Sequence, residues 1–287
     1  MLTGRLGDPH METLTARQFH TLRRRMAEAA LDPGLRNQEL DVSHVRKLGL
    51  PQGMAEQVLR LLGREEQLER YLLAADRQEI FPLTRLDAYY PQKLEKLLGD
   101  SAPPALYCRG DITLLSTKCI SLVGSRRLEE EGRAFAREIG RLCAKEGHTL
   151  VSGGAVGADR EAQEACLAHG GRVIVFTPDS LLNHPMTENV LYCSEEGFDE
   201  AFSAQRALSR NRLIHAMGER TFVARCTPGK GGTWHGTAEN LRNGYSPVCV
   251  YDDGSPGVKA LCTLGATATD IPQTLKERKH GQLKFDE

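Results

Sequence analysis

The first constraint on the fold comes from two short apolar runs, each of which ends in a turn of small residues. Residues 120–123 are followed by Gly124-Ser125-Arg126, and residues 150–151 by Ser152-Gly153-Gly154. Between them, the apolar residues of segment 135–143 recur at spacings of three and four, which predicts a helix with one buried face. The order strand, turn, helix, strand, turn predicts a parallel βαβα unit of an open α/β sheet.

These two turns are candidate phosphate-binding loops. In a parallel sheet they fall at the carboxyl ends of adjacent strands, where open α/β sheets bind ligands. Glycine lets the backbone approach a ligand closely, and the amino end of a helix presents unpaired N–H groups to phosphate. Ordinary turns without a ligand are the alternative, but two in succession, one with an arginine, favour a phosphate site. The candidate residues are Gly124, Ser125, Arg126, Ser152, Gly153 and Gly154.

The composition of the 287 residues limits the function classes. The formal net charge is −1, so no overall positive field attracts nucleic acid, and any such site must be a local patch. No apolar run could cross a bilayer and residues 1–10 hold no signal-peptide core, which predicts a cytoplasmic protein without a membrane partner. The eight cysteines and nine histidines show no metal-binding spacing, so the sequence predicts no structural zinc and calls for no cofactor.

The amino-terminal part of the chain has a helical pattern throughout. Residues 1–12 are expected to be disordered. From Thr13 to Arg77 the apolar residues recur with helical spacing in four segments, and Thr15 is a candidate cap of the first helix. We therefore expect a small N-terminal all-helical domain over residues 1–78.

Residues 79–287 alternate strand-like and helix-like segments. This order predicts the α/β class, with an extended Rossmann-like parallel sheet flanked by helices. A short edge strand is expected at Leu106-Tyr107, after two prolines. Two helices, over residues 258–264 and 271–279, are expected to close the chain.

A local basic patch lies in the second half of the chain. Between Glu200 and Arg242 there are seven basic and three acidic residues (7 − 3 = +4), against −1 for the whole chain. Such a patch on a neutral protein indicates a phosphate-bearing ligand, although Arg210 and Arg212 could instead pair with carboxylates. Five loops are expected to meet at one rim of the sheet: 124–127, 152–159, 177–185, 209–212 and 228–237. The candidate contacts from the last two are Arg210, Asn211, Arg212, Lys230, Gly232, Thr233 and Thr237.

Four side chains in these loops have two interpretations each. Asn211 could hydrogen-bond a base edge or cap a turn. Trp234, the single tryptophan, could stack on a base or anchor its loop, and stacking is slightly favoured. Asp159 could accept from a ribose hydroxyl or hold its turn, and the structural role is favoured. His235 is equally a packing residue or a ligand.

The order of these motifs resembles that of the DNA-processing protein A family (DprA, also called Smf). The resemblance runs from about Ile80 to Leu275. Each motif alone is weak, whereas the whole series in the order of the family is specific. The matching motifs are Tyr90-Pro91, Leu106-Tyr107, Val123-Gly124-Ser125-Arg126, Ser152-Gly153, Gly157-Ala158-Asp159, Arg210-Asn211-Arg212, Gly232-Thr233, Thr237-Ala238 and Gly265-Ala266.

The resemblance carries its own expectations for fold and function. It implies an extended Rossmann domain, and a bacterial protein that binds single-stranded DNA through the basic pocket. It also implies that the strand passes to a RecA-type recombinase during natural transformation, and it leaves room for a homodimer.

A second resemblance points to an enzyme. Gly236-Thr237-Ala238-Glu239 is similar to part of the Pro-Gly-Gly-x-Gly-Thr-x-x-Glu loop of the lonely-guy (LOG) phosphoribohydrolases, which cleave nucleoside monophosphates at the glycosidic bond. In that alternative Glu239, with Arg210 or Arg212, would be catalytic; otherwise no catalytic residue is predicted. A sensor of a nucleotide-derived signal would use the same pocket without turnover.

Overall fold

A computed structural model describes residues 1–29 and 42–275, and the chain divides into two compact units. The first unit comprises Met1–Ser116 and Ile174–Met217; the second comprises Thr117–Val173 and Gly218–Glu287. The predicted division into a helical domain over residues 1–78 and a Rossmann-like domain over residues 79–287 stays a prediction.

Helices and strands alternate from about residue 80 onward, as the sequence predicts. The described helices are α1 (Ala16–Glu28), α2 (Val42–Lys47), α3 (Gln52–Leu62), α4 (Glu65–Arg77), α5 (Gln92–Leu98), α6 (Glu130–Lys145), α7 (Ala158–Ala168), α8 (Ala204–Ser209), α9 (Asn211–Met217), α10 (Gly231–Asn243) and α11 (Pro256–Thr263). The described strands are β1 (Ile80–Thr84), β2 (Ala105–Arg109), β3 (Cys119–Val123), β4 (Thr149–Ser152), β5 (Arg172–Phe176), β6 (Val190–Ser194), β7 (Thr221–Val223), β8 (Val248–Tyr251) and β9 (Thr267–Thr269).

The N-terminal helices form where the sequence predicts them. Thr15 caps α1 with a capping box, since its hydroxyl accepts from the Gln18 N–H and the Gln18 side chain accepts from the Thr15 N–H. Helices α1, α2 and α3 bury one apolar cluster that includes Leu22, Val45 and Leu61. Burial of that shared face is what stabilises helices as short as these.

The prediction that residues 1–12 are disordered is wrong. The Arg64 guanidinium is buried and donates to the carbonyl oxygens of Met1, Gly4 and Arg5. Leu6, which is 5% exposed, packs in a cluster with Tyr71 and other aromatic residues of the first unit. A single buried cation thus satisfies three backbone carbonyls of the segment, and this partner could not be inferred from local sequence.

The strands of the first unit follow the order β1-β2-β6-β5, with β5 beginning in the second unit. Strand β2 pairs antiparallel with both β1 and β6, so the sheet is mixed rather than wholly parallel. The predicted edge strand at Leu106-Tyr107 is therefore interior. The edge is β1, and it contains Pro82, which lacks an N–H and is tolerated at such an edge.

The second unit has the topology of a doubly wound sheet. Its strands follow the order β4-β3-β7-β8-β9, and the recorded pairings of β3, β7 and β8 with their neighbours are all parallel. The α/β, Rossmann-like fold class is confirmed. Helices α6 and α7 pack closely, because Gly140 has no side chain to separate them: a Cβ there would lie 2.1 Å from the Ala162 carbonyl oxygen.

Two closing elements differ from the sequence prediction. Helix α11 forms as expected, but Thr267–Thr269 is a strand, β9, which pairs with β8. The expected helix over residues 271–279 is not helical at residues 271–275, and its remainder lies outside the described residues. None of the helices in the described ranges is long and apolar enough to span a membrane. In the same ranges, no group of three or more His, Cys, Asp or Glu is placed to hold a metal ion.

We expect acid to destabilise the protein through His215 in α9. Its side chain is fully buried, and desolvation lowers its pKa to about 3. Below pH 6.5 the unfolded chain therefore binds a proton that the folded chain excludes, and stability falls as the pH falls towards 3. The cost is about 2 kcal/mol between pH 6.5 and 5. Urea unfolding at both pH values should show a smaller loss in His215→Gln than in the parent, whereas substituting the exposed His10 should leave the loss unchanged.

Candidate functional site

The candidate site lies in the second unit, where the strand order reverses. From β3 the chain passes to its neighbour β4 on one side, whereas β7 and β8 continue on the other side of β3. The carboxyl ends of β3 and β7, at Val123 and Val223, therefore flank a topological switch point. Open α/β sheets bind ligands in the crevice at this position.

The amino end of α10 lies at this switch point. The sequence predicts a loop up to Thr237, but the helix already begins at Gly231, with Lys230 as the capping residue. The amino end of this 13-residue helix is the positive end of its dipole, and its first turn carries no acidic residue. The Thr233 hydroxyl donates to the Gly124 carbonyl oxygen at 2.9 Å, which ties the start of the helix to the end of β3.

The loop after β3 also contacts the start of α7. The Ala158 N–H donates to the Ser125 carbonyl oxygen at 3.2 Å. Gly157 has a φ of 96°, and a Cβ there would lie 2.5 Å from the same oxygen and 2.7 Å from the Arg126 Cα. A Cβ on Gly124 would lie 2.4 Å from the Ala158 Cβ. The absent side chains at these two positions let the loops pack directly on each other.

Several predicted site residues point into the protein. Ser152 is fully buried and its hydroxyl accepts from the Gln163 amide at 2.5 Å. Thr237 is also fully buried. Asp159 accepts from the N–H groups of Gly153 and Ala155 at 3.1 and 3.3 Å, so it holds the turn, as the sequence analysis favours. These three side chains are therefore internal and do not form the exposed surface of the site.

The loop after β3 and the residue that precedes α10 carry exposed cations. Arg126 and Lys230 are exposed, and neither side chain forms a hydrogen bond or ion pair with any residue in the described ranges. Arg127 adjoins Arg126 and is exposed in the same way, although it is not among the predicted contacts. Arg225 differs because it pairs with Glu129 at 2.7 Å. We call residues 124–127, 157–158 and 230–233 the switch-point rim.

The segment Arg210-Asn211-Arg212 belongs to the first unit, and each of its side chains is buried or nearly so. The Arg210 guanidinium donates to the Phe176 carbonyl oxygen. Arg212 forms a two-pronged ion pair with Glu195, at 3.1 and 2.5 Å, and donates to the Ser101 carbonyl oxygen. Arg212 thus pairs with a carboxylate, which is the alternative to phosphate binding that the sequence allows. Contacts from these residues to DNA stay a prediction.

Trp234 and Glu239 lie at different positions along α10. Trp234 is half-buried in the first turns, and the neighbouring His235 is exposed. Glu239 comes eight residues after Gly231, about 12 Å along the helix axis, and accepts from the Tyr245 hydroxyl at 3.1 Å. The Gly-Thr pair at the start of the helix is Gly232-Thr233, and not the Gly236-Thr237 pair of the sequence match. In the hydrolase pattern the glutamate comes three residues after the threonine, and three residues after Thr233 this chain has Gly236.

Comparison with known proteins decides the family. The family model described as DNA recombination-mediator protein A matches residues 82–278, more than half of the chain. The chain belongs to this family. The chain is similar to Protein Smf of Synechocystis sp., with 26% identity over 201 residues, which cover 64% of the chain and 50% of that protein. DNA processing protein DprA of Streptococcus pneumoniae is 28% identical over 218 residues, covering 69% and 76%.

Solved structures of family members share the fold. The structure of S. pneumoniae DprA has a TM-score of 0.67 at 23% identity and covers 89% of this chain and 90% of its own. A structure of DNA processing protein A from Helicobacter pylori, described by its single-stranded DNA binding mode, has a TM-score of 0.57 at 27% identity and covers 66% and 90%. The chain spans about half the length of the Smf proteins that it matches.

Proposed function

We propose that this chain binds single-stranded DNA through the switch-point rim. The observation that carries the proposal is the amino end of α10, tied to the end of β3 by the Thr233 hydroxyl and flanked by exposed cations. The positive end of the α10 dipole favours a phosphate there. Arg126, Arg127 and Lys230 add charges that a flexible polyanion can follow from one phosphate to the next.

The arrangement of charged residues at the switch-point rim supports binding of a DNA strand in preference to binding and hydrolysis of a nucleotide. A strand-binding surface needs cations along a groove and bases exposed to stacking partners. The half-buried Trp234 lies one residue beyond Thr233, and we propose that it stacks on a base beside the bound phosphate. A glycosidic hydrolase instead needs a carboxylate beside the ribose. At the corresponding place in α10 the chain has Gly236, and the Glu239 carboxylate accepts from Tyr245.

The wider role follows from family membership and is also a proposal. We propose that the chain acts in the cytoplasm, passes bound strands to a RecA-type recombinase during natural transformation, and self-associates as a homodimer. The relative from H. pylori is described by its single-stranded DNA binding mode, which supports the first step of this role.

A fluorescence titration tests the proposed binding. Trp234 is the single tryptophan, so its emission has one source. Adding a mixed-sequence oligonucleotide to the full chain should quench the emission to saturation, and a duplex of the same length should bind more weakly. An oligonucleotide that gives no change in emission, and no change in the anisotropy of an end label, would contradict the proposal.

The hydrolase alternative predicts the opposite result for Glu239. We expect Glu239→Gln to retain the oligonucleotide affinity, or to strengthen it slightly because a negative charge is removed. We also expect no release of adenine from AMP by the unmodified chain. Both are measured on one preparation, by anisotropy and by chromatography of the free base. Turnover that disappears in Glu239→Gln would replace strand binding by glycosidic hydrolysis as the function.

A further inference from the structure

Helix α4 exposes leucines beyond the apolar face that it buries. Tyr71 and Ala75 are buried and pack into the aromatic cluster of the first unit. Leu68 lies at the edge of the same cluster, and beyond it Leu72 is 38% exposed and Leu73 is 51% exposed. These two leucines need an explanation, because adjacent exposed leucines in the middle of a helix are unfavourable in water.

The exposed residues of α4 form an open surface patch with a regular pattern. The patch consists of Glu65, Leu68, Glu69, Leu72, Leu73 and Asp76. These positions have the spacings of one helix face, and at about 100° per residue the three acidic residues fall on one line with leucines on both sides. The three charged residues of this α4 surface are all acidic, and its other three residues are all leucine.

We propose that this α4 face docks a basic amphipathic helix of a partner protein. Leucines at helical spacing are the anchors that helix-in-groove recognition uses. The row formed by Glu65, Glu69 and Asp76 complements a row of lysine or arginine on the partner. This interaction goes beyond strand binding. None of its residues belongs to the switch-point rim, and its acidic row would repel DNA phosphates.

The charge row also argues against a second copy of this chain on the same face. A two-fold symmetric contact places one patch against its own copy. Glu65, Glu69 and Asp76 would then face three identical carboxylates, which is repulsive. An anionic membrane surface is disfavoured by the same charges, so the complementary occupant is a cationic helix.

Synthetic peptides made of leucine and lysine test the proposal on the full chain. One fluorescein-labelled peptide places leucine at positions i, i+3, i+4 and i+7; a second has the same composition in strict alternation and cannot present one helical face. We expect the first to bind at least tenfold more tightly by anisotropy. Leu72→Ala/Leu73→Ala, and separately Glu69→Lys/Asp76→Lys, should each weaken its binding at least tenfold.

Two controls make the result specific. Glu131→Lys/Glu188→Lys, which introduces the same change of charge at exposed positions elsewhere, should change the peptide affinity by less than twofold. Equal losses in both charge-reversal variants would overturn the proposal as non-specific attraction. A dimer that dissociates on Leu72→Ala/Leu73→Ala in sedimentation would overturn it in favour of self-association. Oligonucleotide affinity should stay within twofold in the α4 variants, which separates this test from that of strand binding.

Discussion

Arg212→Ala is expected to lower the free energy of unfolding by about 3–5 kcal/mol, because it leaves the Glu195 carboxylate buried without its cation. The side chains of Arg212 and Glu195 are 12% and 9% exposed, and both guanidinium prongs of the pair are made. The substitution also removes the hydrogen bonds from Arg212 to the Ser101 and Ser209 carbonyl oxygens. Urea unfolding at neutral pH measures the loss.

A double variant separates the ion pair from simple loss of packing. Arg212→Met/Glu195→Gln retains most of the volume and leaves no unpaired buried charge, so it should be more stable than Arg212→Ala. The folded double variant then allows the oligonucleotide affinity to be measured without the instability. An Arg212→Ala protein as stable as the parent would contradict the structural role of the pair.

Gly140→Ala is expected to destabilise the protein by about 2–3 kcal/mol, although alanine favours helix more than glycine does. The new Cβ would lie 2.1 Å from the Ala162 carbonyl oxygen and 3.0 Å from the Cys166 amide nitrogen, both in α7. Since these are backbone atoms, no rotamer change relieves the contact, and α6 and α7 must move apart.

Gly132 provides a matched control in the same helix. A Cβ at Gly132 would meet only the Leu128 side chain, at 3.3 Å, and that side chain can shift. Gly132→Ala should therefore change the stability by less than about 1 kcal/mol, in the stabilising direction. Urea unfolding compares the two variants, and equal stability in both would mean that α6 and α7 are not in close contact at Gly140.

Local chemistry explains which elements were predictable from the sequence. The cap at Thr15 and the turn after β3 depend on neighbouring residues, so their positions were predicted closely. The start of α10 was missed because Gly231 and Gly232 have poor helix propensity, and the hydrogen bond from Thr233 to Gly124 spans 109 residues.

Long-range partners explain the other differences. Glu195, the partner of Arg212, lies 17 residues earlier in the chain, and nothing in that spacing indicates a contact. The buried Arg64 likewise contacts carbonyls about 60 residues away. A sequence with basic residues near glycines predicts a basic patch, but it does not distinguish an arginine with an internal partner from one exposed to solvent. Among the candidate cations, that distinction separates Arg126 and Lys230 from Arg212.

The salt dependence of oligonucleotide binding tests the central claim most directly. Arg126→Ala and Lys230→Ala should each weaken binding to a similar degree for all sequences and lower the slope of log K against log salt by about one ion. Lys145→Ala is the matched control, since Lys145 is exposed at the opposite end of α6 from the switch-point rim and should leave the slope unchanged. Slopes equal to that of the parent in Arg126→Ala and Lys230→Ala would contradict a phosphate site at the rim.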